Sequence, residues 1–224
     1  MKGMTLHMKL KRLFAAAIVI FAAAMLSSCS GSGDKSAKNG KELYQKGSYT
    51  EALESFSAAE EKGVKTFDEA ELYNCIGNCF YQLGDYEKCI EYQRKCLDTD
   101  PEYFSGWVNL GVAYRKSGDN DKAMTCYEVA LQYDPENAPE SGLLYISLGS
   151  LYLERSKPIS AITYLEKAKS VYTGANDSAT VYAYLSIAYK MALEPEKSAD
   201  AFEKAKDLGY PNMDDVQRQL DKLD

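Results

Sequence analysis

Residues 104–137 read FSGWVNLGVAYRKSGDNDKAMTCYEVALQYDPEN, and this stretch decides the fold. Its apolar and small residues recur every three or four positions, first around Trp107 and again around Tyr127, which predicts two helices that each present one apolar face. Between them, Gly118 is suited to end the first helix and Asp119 to cap the second. A helix pair of this size cannot bury its apolar faces alone, so neighbouring copies must stack against it.

The same pattern recurs along the chain and resembles the tetratricopeptide repeat (TPR). In residues 104–137 every signature position of that family is filled, ending at Pro135, where proline terminates the second helix. The first copy is degraded at Ser36 and Asn39, as expected of a terminal repeat with one face in water. The resemblance implies an all-α fold, an α-solenoid of about five helix-turn-helix repeats. They are expected at about 33–66, 70–103, 104–137, 142–175 and 179–212, within an array at 39–212 that a C-terminal capping helix at 213–224 follows.

The N-terminal residues predict a targeting segment. Basic residues precede an apolar run over 13–26, which is too short to span a bilayer but typical of a signal peptide. The run ends in LSSC at 26–29, which resembles a bacterial lipobox, whose cysteine receives the lipid. We therefore expect 1–28 to be a lipoprotein signal peptide, Cys29 to be lipidated, and 29–38 to be a flexible tether. The alternative is an ordinary secretory signal that leaves Cys29 as an incidental thiol.

The residues after Cys29 suggest where a lipidated protein would reside. Two or three acyl chains anchor a protein stably to a membrane. Residue 30 is serine and not aspartate, which by resemblance to enterobacterial lipoproteins implies the outer membrane. No acidic run follows Cys29, and this favours the periplasmic side. We expect a lipid-anchored protein of the bacterial cell envelope, in the outer membrane and facing the periplasm.

The chain that would remain after cleavage is acidic and contains no histidine. Four of the 26 basic residues and none of the 33 acidic residues precede Cys29, which leaves 22 against 33 and a net charge of −11. This charge disfavours nucleic acid, whose binding depends on neutralising phosphates. His7, the only histidine, lies in the signal segment, so none remains for a catalytic triad or a metal site. We predict a non-enzymatic protein without cofactor or metal.

Five cysteines follow Cys29, and four of them fall in the second repeat. Their spacings include C-x3-C and C-x6-C, with no CxxC, which disfavours a metal site. Cys89 and Cys96 occupy positions where the repeat needs a small residue, which favours core packing. Alternatives are a disulfide, a redox or metal-responsive protein acting through the second repeat, and a small-ligand carrier. The five are Cys75, Cys79, Cys89, Cys96 and Cys126.

The resemblance also implies where a partner would bind, because the first helices of TPR proteins line a concave groove. Asn78 and Asn109 coincide with asparagines that bond an extended peptide in chaperone-binding relatives, since a side-chain amide both donates and accepts. Alternatively, these asparagines only hydrate a polar helix face. The implied function is a scaffold that binds a protein or peptide partner and reaches the membrane through its lipid. The predicted groove residues are Tyr44, Asn74, Asn78, Tyr81, Asn109, Arg115 and Tyr184.

Overall fold

The computed structural model describes residues 32–133, 139–172 and 175–223. The predicted signal peptide and Cys29 lie outside these residues. Within the described ranges the regular secondary structure is helical, and no helix there is long and apolar enough to cross a bilayer. The helices are α1 (Ser32–Gln45), α2 (Tyr49–Lys62), α3 (Glu69–Gln82), α4 (Tyr86–Thr99), α5 (Phe104–Lys116), α6 (Asn120–Ala130), α7 (Pro139–Glu154), α8 (Pro158–Val171), α9 (Ala175–Met191), α10 (Pro195–Asp207) and α11 (Met213–Asp221).

Successive helices pack as hairpins, as the repeat pattern predicts. Helix α1 packs on α2, α3 on α4, α7 on α8, and α9 on α10. The chain divides into two compact units, the first ending at Gly106 and the second beginning at Trp107. The prediction of an all-α fold built from helix pairs is therefore confirmed.

Small residues on the first helix of a pair allow a large side chain of the second helix to pack closely. A Cβ added to Gly111 would meet the Tyr127 ring at 2.5 Å, and one added to Gly149 would meet Leu165 at 2.6 Å. Tyr127 and Leu165 are both buried. In the second repeat the corresponding side chain is the buried Gln93, which is the polar exception in this series.

The turns inside the repeats need a left-handed residue, and two of them do without glycine. Gly118 has φ +88°, and the next residue, Asp119, accepts a hydrogen bond from the backbone N–H of Lys122, as the sequence predicts. Ser156 and Leu193 hold φ values of 54° and 62° at the equivalent turns of the fourth and fifth repeats. A side chain in this region is strained, so these two turns are held by the packing of the helices around them.

Helix α11 closes the second unit, in agreement with the predicted capping helix. Val216 is buried against a cluster that includes Ala183 and Ile187 of α9, while Met213 and Leu220 pack at its edge. The remaining positions of α11 are mostly exposed and polar. The helix thus covers the apolar face of the last repeat and presents a soluble surface.

Helix α1 begins at Ser32, so the expectation of a flexible tether over 29–38 is wrong for residues 32–38. The Gly-Ser composition of this stretch suggested a linker, but tertiary contacts order it. Gly33 is buried against the end of α2, where an added Cβ would lie 2.0 Å from the carbonyl oxygen of Gly63. Only glycine allows this approach.

Asp34 fixes the start of α1 to the loop before α3. Its Oδ1 accepts hydrogen bonds from the backbone N–H groups of Lys65, Thr66 and Phe67 at 2.9, 3.0 and 2.9 Å. These donors favour the charged carboxylate, led by the N–H of Phe67, and lower the pKa of Asp34 to about 2.

We expect the stabilisation from Asp34 to be lost in acid. Because its pKa is lowered on folding, this stability is present above the ordinary carboxyl pKa near 4 and disappears as the pH falls through about 2. Thermal unfolding of the wild type and Asp34→Asn, followed by circular dichroism, should show melting temperatures that differ at pH 7 and converge towards pH 2. Asp98→Asn, at an exposed site on α4, is the matched control. A constant difference across this range would contradict the assignment.

Candidate partner-binding clefts

The first unit contains a cleft of about 250 Å³ bordered by α1 and α3. Tyr44 lines it, half-buried, with its ring packed edge-to-face on Tyr49 at 5.3 Å between centroids. Burial raises the pKa of the Tyr44 phenol. Lys41 lies at the rim and pairs with Glu71, with 2.6 Å between Nζ and Oε1. The lining residues are Lys41, Tyr44, Gln45, Cys75 and Asn78, and we call this site the α1–α3 cleft.

A buried glutamine holds one side of Asn78 beneath this cleft. Gln93 Nε2 donates to Asn78 Oδ1 at 3.1 Å and to the Asn74 carbonyl oxygen at 3.3 Å. Asn78 Oδ1 therefore already accepts one hydrogen bond within the fold. The sequence predicted that this amide would both donate to and accept from a partner; part of its accepting capacity is used by Gln93.

The second unit contains a larger cleft, of about 430 Å³, bordered by α7, α9 and α11. We call it the α7–α9–α11 cleft. Its apolar side chains include Leu153 of α7, Ile187 of α9 and Leu223, which follows the end of α11. Polar groups stand among them, so the cleft combines an apolar floor with a mixed rim. The lining residues are Ser150, Leu153, Glu154, Tyr184, Ile187, Met191, Gln219, Lys222 and Leu223.

Two predicted groove residues come together at the α7–α9–α11 cleft. Tyr184 lines it, and burial raises the pKa of its phenol. Arg115 reaches its edge, where Nη2 donates to Ser150 Oγ at 2.9 Å and to Glu154 Oε1 at 3.4 Å. The positive charge of Arg115 partly opposes this effect of burial, and the pKa of Tyr184 stays raised overall. Arg115 and Glu154 therefore form a charged edge beside an aromatic wall.

Comparison with known proteins identifies the type of repeat in part of the chain. Residues 68–136 match the family model for the tetratricopeptide repeat. The chain has the tetratricopeptide repeat fold. A crystal structure of the MamA protein superposes with a TM-score of 0.68 over 80% of this chain and 92% of that chain, at 18% identity. At this identity the likeness concerns the fold, and it confirms the predicted α-solenoid class.

Curated relatives match about half of this chain. The Hsp70-Hsp90 organizing protein of Triticum aestivum is 27% identical over 104 residues, which cover 46% of this chain and 17% of that protein. The anaphase-promoting complex subunit CDC16 of Saccharomyces cerevisiae is 30% identical over 138 residues, or 57% of this chain and 16% of that subunit. The chain thus spans less than a fifth of the length of these relatives.

Four predicted groove residues of the TPR array are not among those lining either cleft: Arg115, which only bonds to the lining residues Ser150 and Glu154, and three others. Asn74 is buried, with 8% of its surface exposed. Tyr81 is half-buried and packs on Tyr86, with 5.6 Å between ring centroids. Asn109, on α5, is half-buried. Spacing places all three on the first helices of their repeats, but it does not distinguish a side chain that packs between helices from one that borders an opening.

The thiols of the TPR array lie mainly in the core. No disulfide joins the five described cysteines; Cys75 is half-buried at the α1–α3 cleft and the other four are buried. Burial raises the pKa of Cys75 to about 11 and that of Cys79, Cys89 and Cys96 to about 12. These thiols are protonated at neutral pH, which makes them weak nucleophiles and disfavours the redox alternative. In the described ranges no group of three or more His, Cys, Asp or Glu residues is placed to hold a metal ion.

Proposed function

We propose that this TPR chain is a non-enzymatic interaction scaffold of the bacterial cell envelope, anchored to the outer membrane by a lipid on Cys29 and facing the periplasm. It binds a segment of a protein partner in the α7–α9–α11 cleft. The observation that carries the binding site is the convergence of Arg115 and Tyr184 on one opening with an apolar floor. Both residues are expected from the repeat resemblance to face a partner.

The chemistry of the α7–α9–α11 cleft fits a segment with an apolar anchor and polar flanks. Leu153, Ile187 and Met191 provide an apolar surface, and burying one large apolar side chain contributes about 1.5–3 kcal/mol. Tyr184 adds an amphipathic ring of the kind that is enriched in binding hot spots. The Arg115–Glu154 pair offers both a donor and an acceptor to the flanking backbone.

The comparisons and the N-terminal sequence support the two halves of this proposal. One relative is named for organising Hsp70 and Hsp90, and the other as a subunit of a complex, so the matched repeats occur in proteins that associate with others. The basic leader, the short apolar run and LSSC at 26–29 support lipid anchoring. The acidity of the remaining chain supports attachment by the lipid and not by charge.

We expect Leu223→Glu to weaken partner binding about tenfold, because it places a charge in the apolar cleft and removes about 1.4 kcal/mol or more of binding free energy. Leu223 is 42% exposed near the end of the chain, so the fold should tolerate the change. The measurement is photo-crosslinking from Tyr184, replaced by a benzoyl-phenylalanine, in the protein's own cells, with quantitation by mass spectrometry.

The matched control for this experiment is Ile159→Glu. Ile159 is an aliphatic residue of the same unit, 67% exposed on α8 and outside the lining of the cleft. It should leave every crosslink unchanged. Equal crosslinking by the wild type and the Leu223→Glu variant, at equal melting temperatures, would disprove the cleft as the binding site.

Lipid anchoring predicts that Cys29→Ala releases the protein from the membrane. The wild-type protein should fractionate with membranes and carry an N-terminal peptide whose mass includes the acyl chains. The Cys29→Ala variant should lose that mass and become soluble after signal cleavage, because a protein without acyl chains lacks a stable anchor. Cys126→Ala, at a buried thiol of α6, controls for loss of a cysteine. A membrane-bound Cys29→Ala variant would contradict the anchor.

A further inference from the structure

Ser32, the first residue of α1, lies only three residues after Cys29, and this spacing limits how far an anchored protein can stand from its membrane. We propose that one end of the first unit rests directly on the lipid headgroups, without a free tether. This end consists of the first turn of α1, the last turn of α2 and the loop 63–68, and we call it the basal end. The inference rests on the proposed lipidation of Cys29 and adds an orientation to it.

The start of α1 is fixed by contacts that a flexible tether would lack. Gly33 packs against the carbonyl of Gly63, and Asp34 accepts three backbone hydrogen bonds from the loop 63–68. Unwinding the first turn to lengthen the connection would break all three bonds and expose a buried carboxylate. The connection between Cys29 and α1 is therefore not lengthened by unwinding of the helix.

The reach of this connection sets the distance to the membrane. From Cys29 to Ser32 there are three residue steps, which span at most about 11 Å when fully extended. A lipidated cysteine lies at the bilayer interface, where the headgroup region of one leaflet is about 5–8 Å thick. The basal end is therefore held within contact distance of the headgroups.

The opposite end of the first unit points away from the lipid. Helix α1 has 14 residues, and a helix of that length extends about 21 Å. The turn at Lys46 and Gly47 lies at its far end. Tyr44 and Gln45 of the α1–α3 cleft are close to that turn, so this cleft lies towards the end of the unit that is far from the membrane surface, where a partner has access.

The basal end carries both positive and negative side chains, which decides whether charge or the short connection keeps it on the lipid. Lys35, Lys62 and Lys65 are exposed there, and so are Glu61 and Asp68. This mixture gives no strong attraction to anionic lipid, so the short connection supplies the contact. We therefore expect the orientation to persist at high salt, where electrostatic adsorption is screened.

Fluorescence quenching tests this orientation in the intact lipoprotein. Lys65→Cys and Lys46→Cys are labelled with the same fluorophore and reconstituted in vesicles of phosphatidylethanolamine and phosphatidylglycerol that carry a headgroup nitroxide. Both lysines are exposed, and the unsubstituted protein controls for labelling of Cys75. The label at 65 should be quenched about threefold or more over that at 46, because the two sites differ by about 20 Å in height.

A linker variant sharpens the test. A Gly-Ser insert of about 20 residues after Ser30 adds a mean reach of about 25 Å and should abolish the difference between the two labels. In the protein without the insert, and with a mass that includes the lipid, equal quenching of the labels at 65 and 46 would overturn the proposed orientation. The proposed lipid anchor would stand. Protein without the lipid mass would instead overturn the proposed anchor. Loss of the difference in 0.5 M salt would show adsorption by charge and contradict the role of the short connection.

Discussion

Replacing Tyr127 with alanine is expected to lower the free energy of unfolding of the second unit by about 3–5 kcal/mol, the usual cost of truncating a buried aromatic residue. Tyr127 is 1% exposed, and its ring lies against Gly111, with Ala123 and Ala130 buried on the same helix. None of these small residues can extend to fill the space. The cavity therefore remains, and the stacking of α5 on α6 is lost.

Urea unfolding followed by the fluorescence of Trp107 measures the free energy of unfolding of the second unit. Trp107 is the only tryptophan of the chain and belongs to the second unit. The control is Tyr127→Phe, which keeps the ring and should cost only about 1 kcal/mol through the lost hydroxyl. A loss below about 1 kcal/mol in the alanine variant would show that the site collapses around the gap.

Replacing Gln93 with leucine is expected to raise the free energy of unfolding of the first unit by about 1–2 kcal/mol. Gln93 is fully buried, and no group within the described residues donates to its Oε1. A buried polar atom without a partner costs about 1–3 kcal/mol. Leu165 occupies the same position of the fourth repeat and is fully buried, so leucine fits this packing.

The matched control is Gln93→Ala, which removes the same oxygen but leaves a cavity and should destabilise by about 2–4 kcal/mol. Circular dichroism in urea measures both variants. If Gln93→Leu destabilises the unit, then the bonds from Nε2 to Asn78 and Asn74 outweigh the unsatisfied oxygen. Gln93 would then stabilise the first unit. The alternative, that it destabilises the unit while it orients Asn78, would be wrong.

The repeat pattern predicts the helix pairs well because its information is local. Gly118 and Asp119 specify a turn within a few residues, and Gly111 with Tyr127 specifies the packing of adjacent helices. The start of the fold was not predictable in this way. Gly33 and Asp34 are ordered by groups about thirty residues further along the chain, and composition alone made them part of a linker.

The clefts were only partly predictable, for a related reason. Tyr44, Asn78 and Tyr184 line them and Arg115 bonds at an edge, so position within the repeat carries real information. The contribution of α11 was missed because its stripe of apolar residues suggested only a cap. The hydrogen bond from Gln93 to Asn78 joins two helices, and no pattern along one helix reveals it. The use of the predicted groove residues by a partner remains a prediction.

Because its cysteines are buried in the folded state, the protection of this chain from oxidation depends on how fast it folds. A chain that reaches an oxidising compartment unfolded exposes every thiol to disulfide exchange. Cys79, Cys89 and Cys96 become inaccessible only when the second repeat has formed. Helical repeats rely on contacts between residues close in sequence, and such topologies fold in microseconds to milliseconds. If the chain is exported as proposed, rapid folding protects the reduced thiols, and oxidative damage should accumulate in slow-folding variants first.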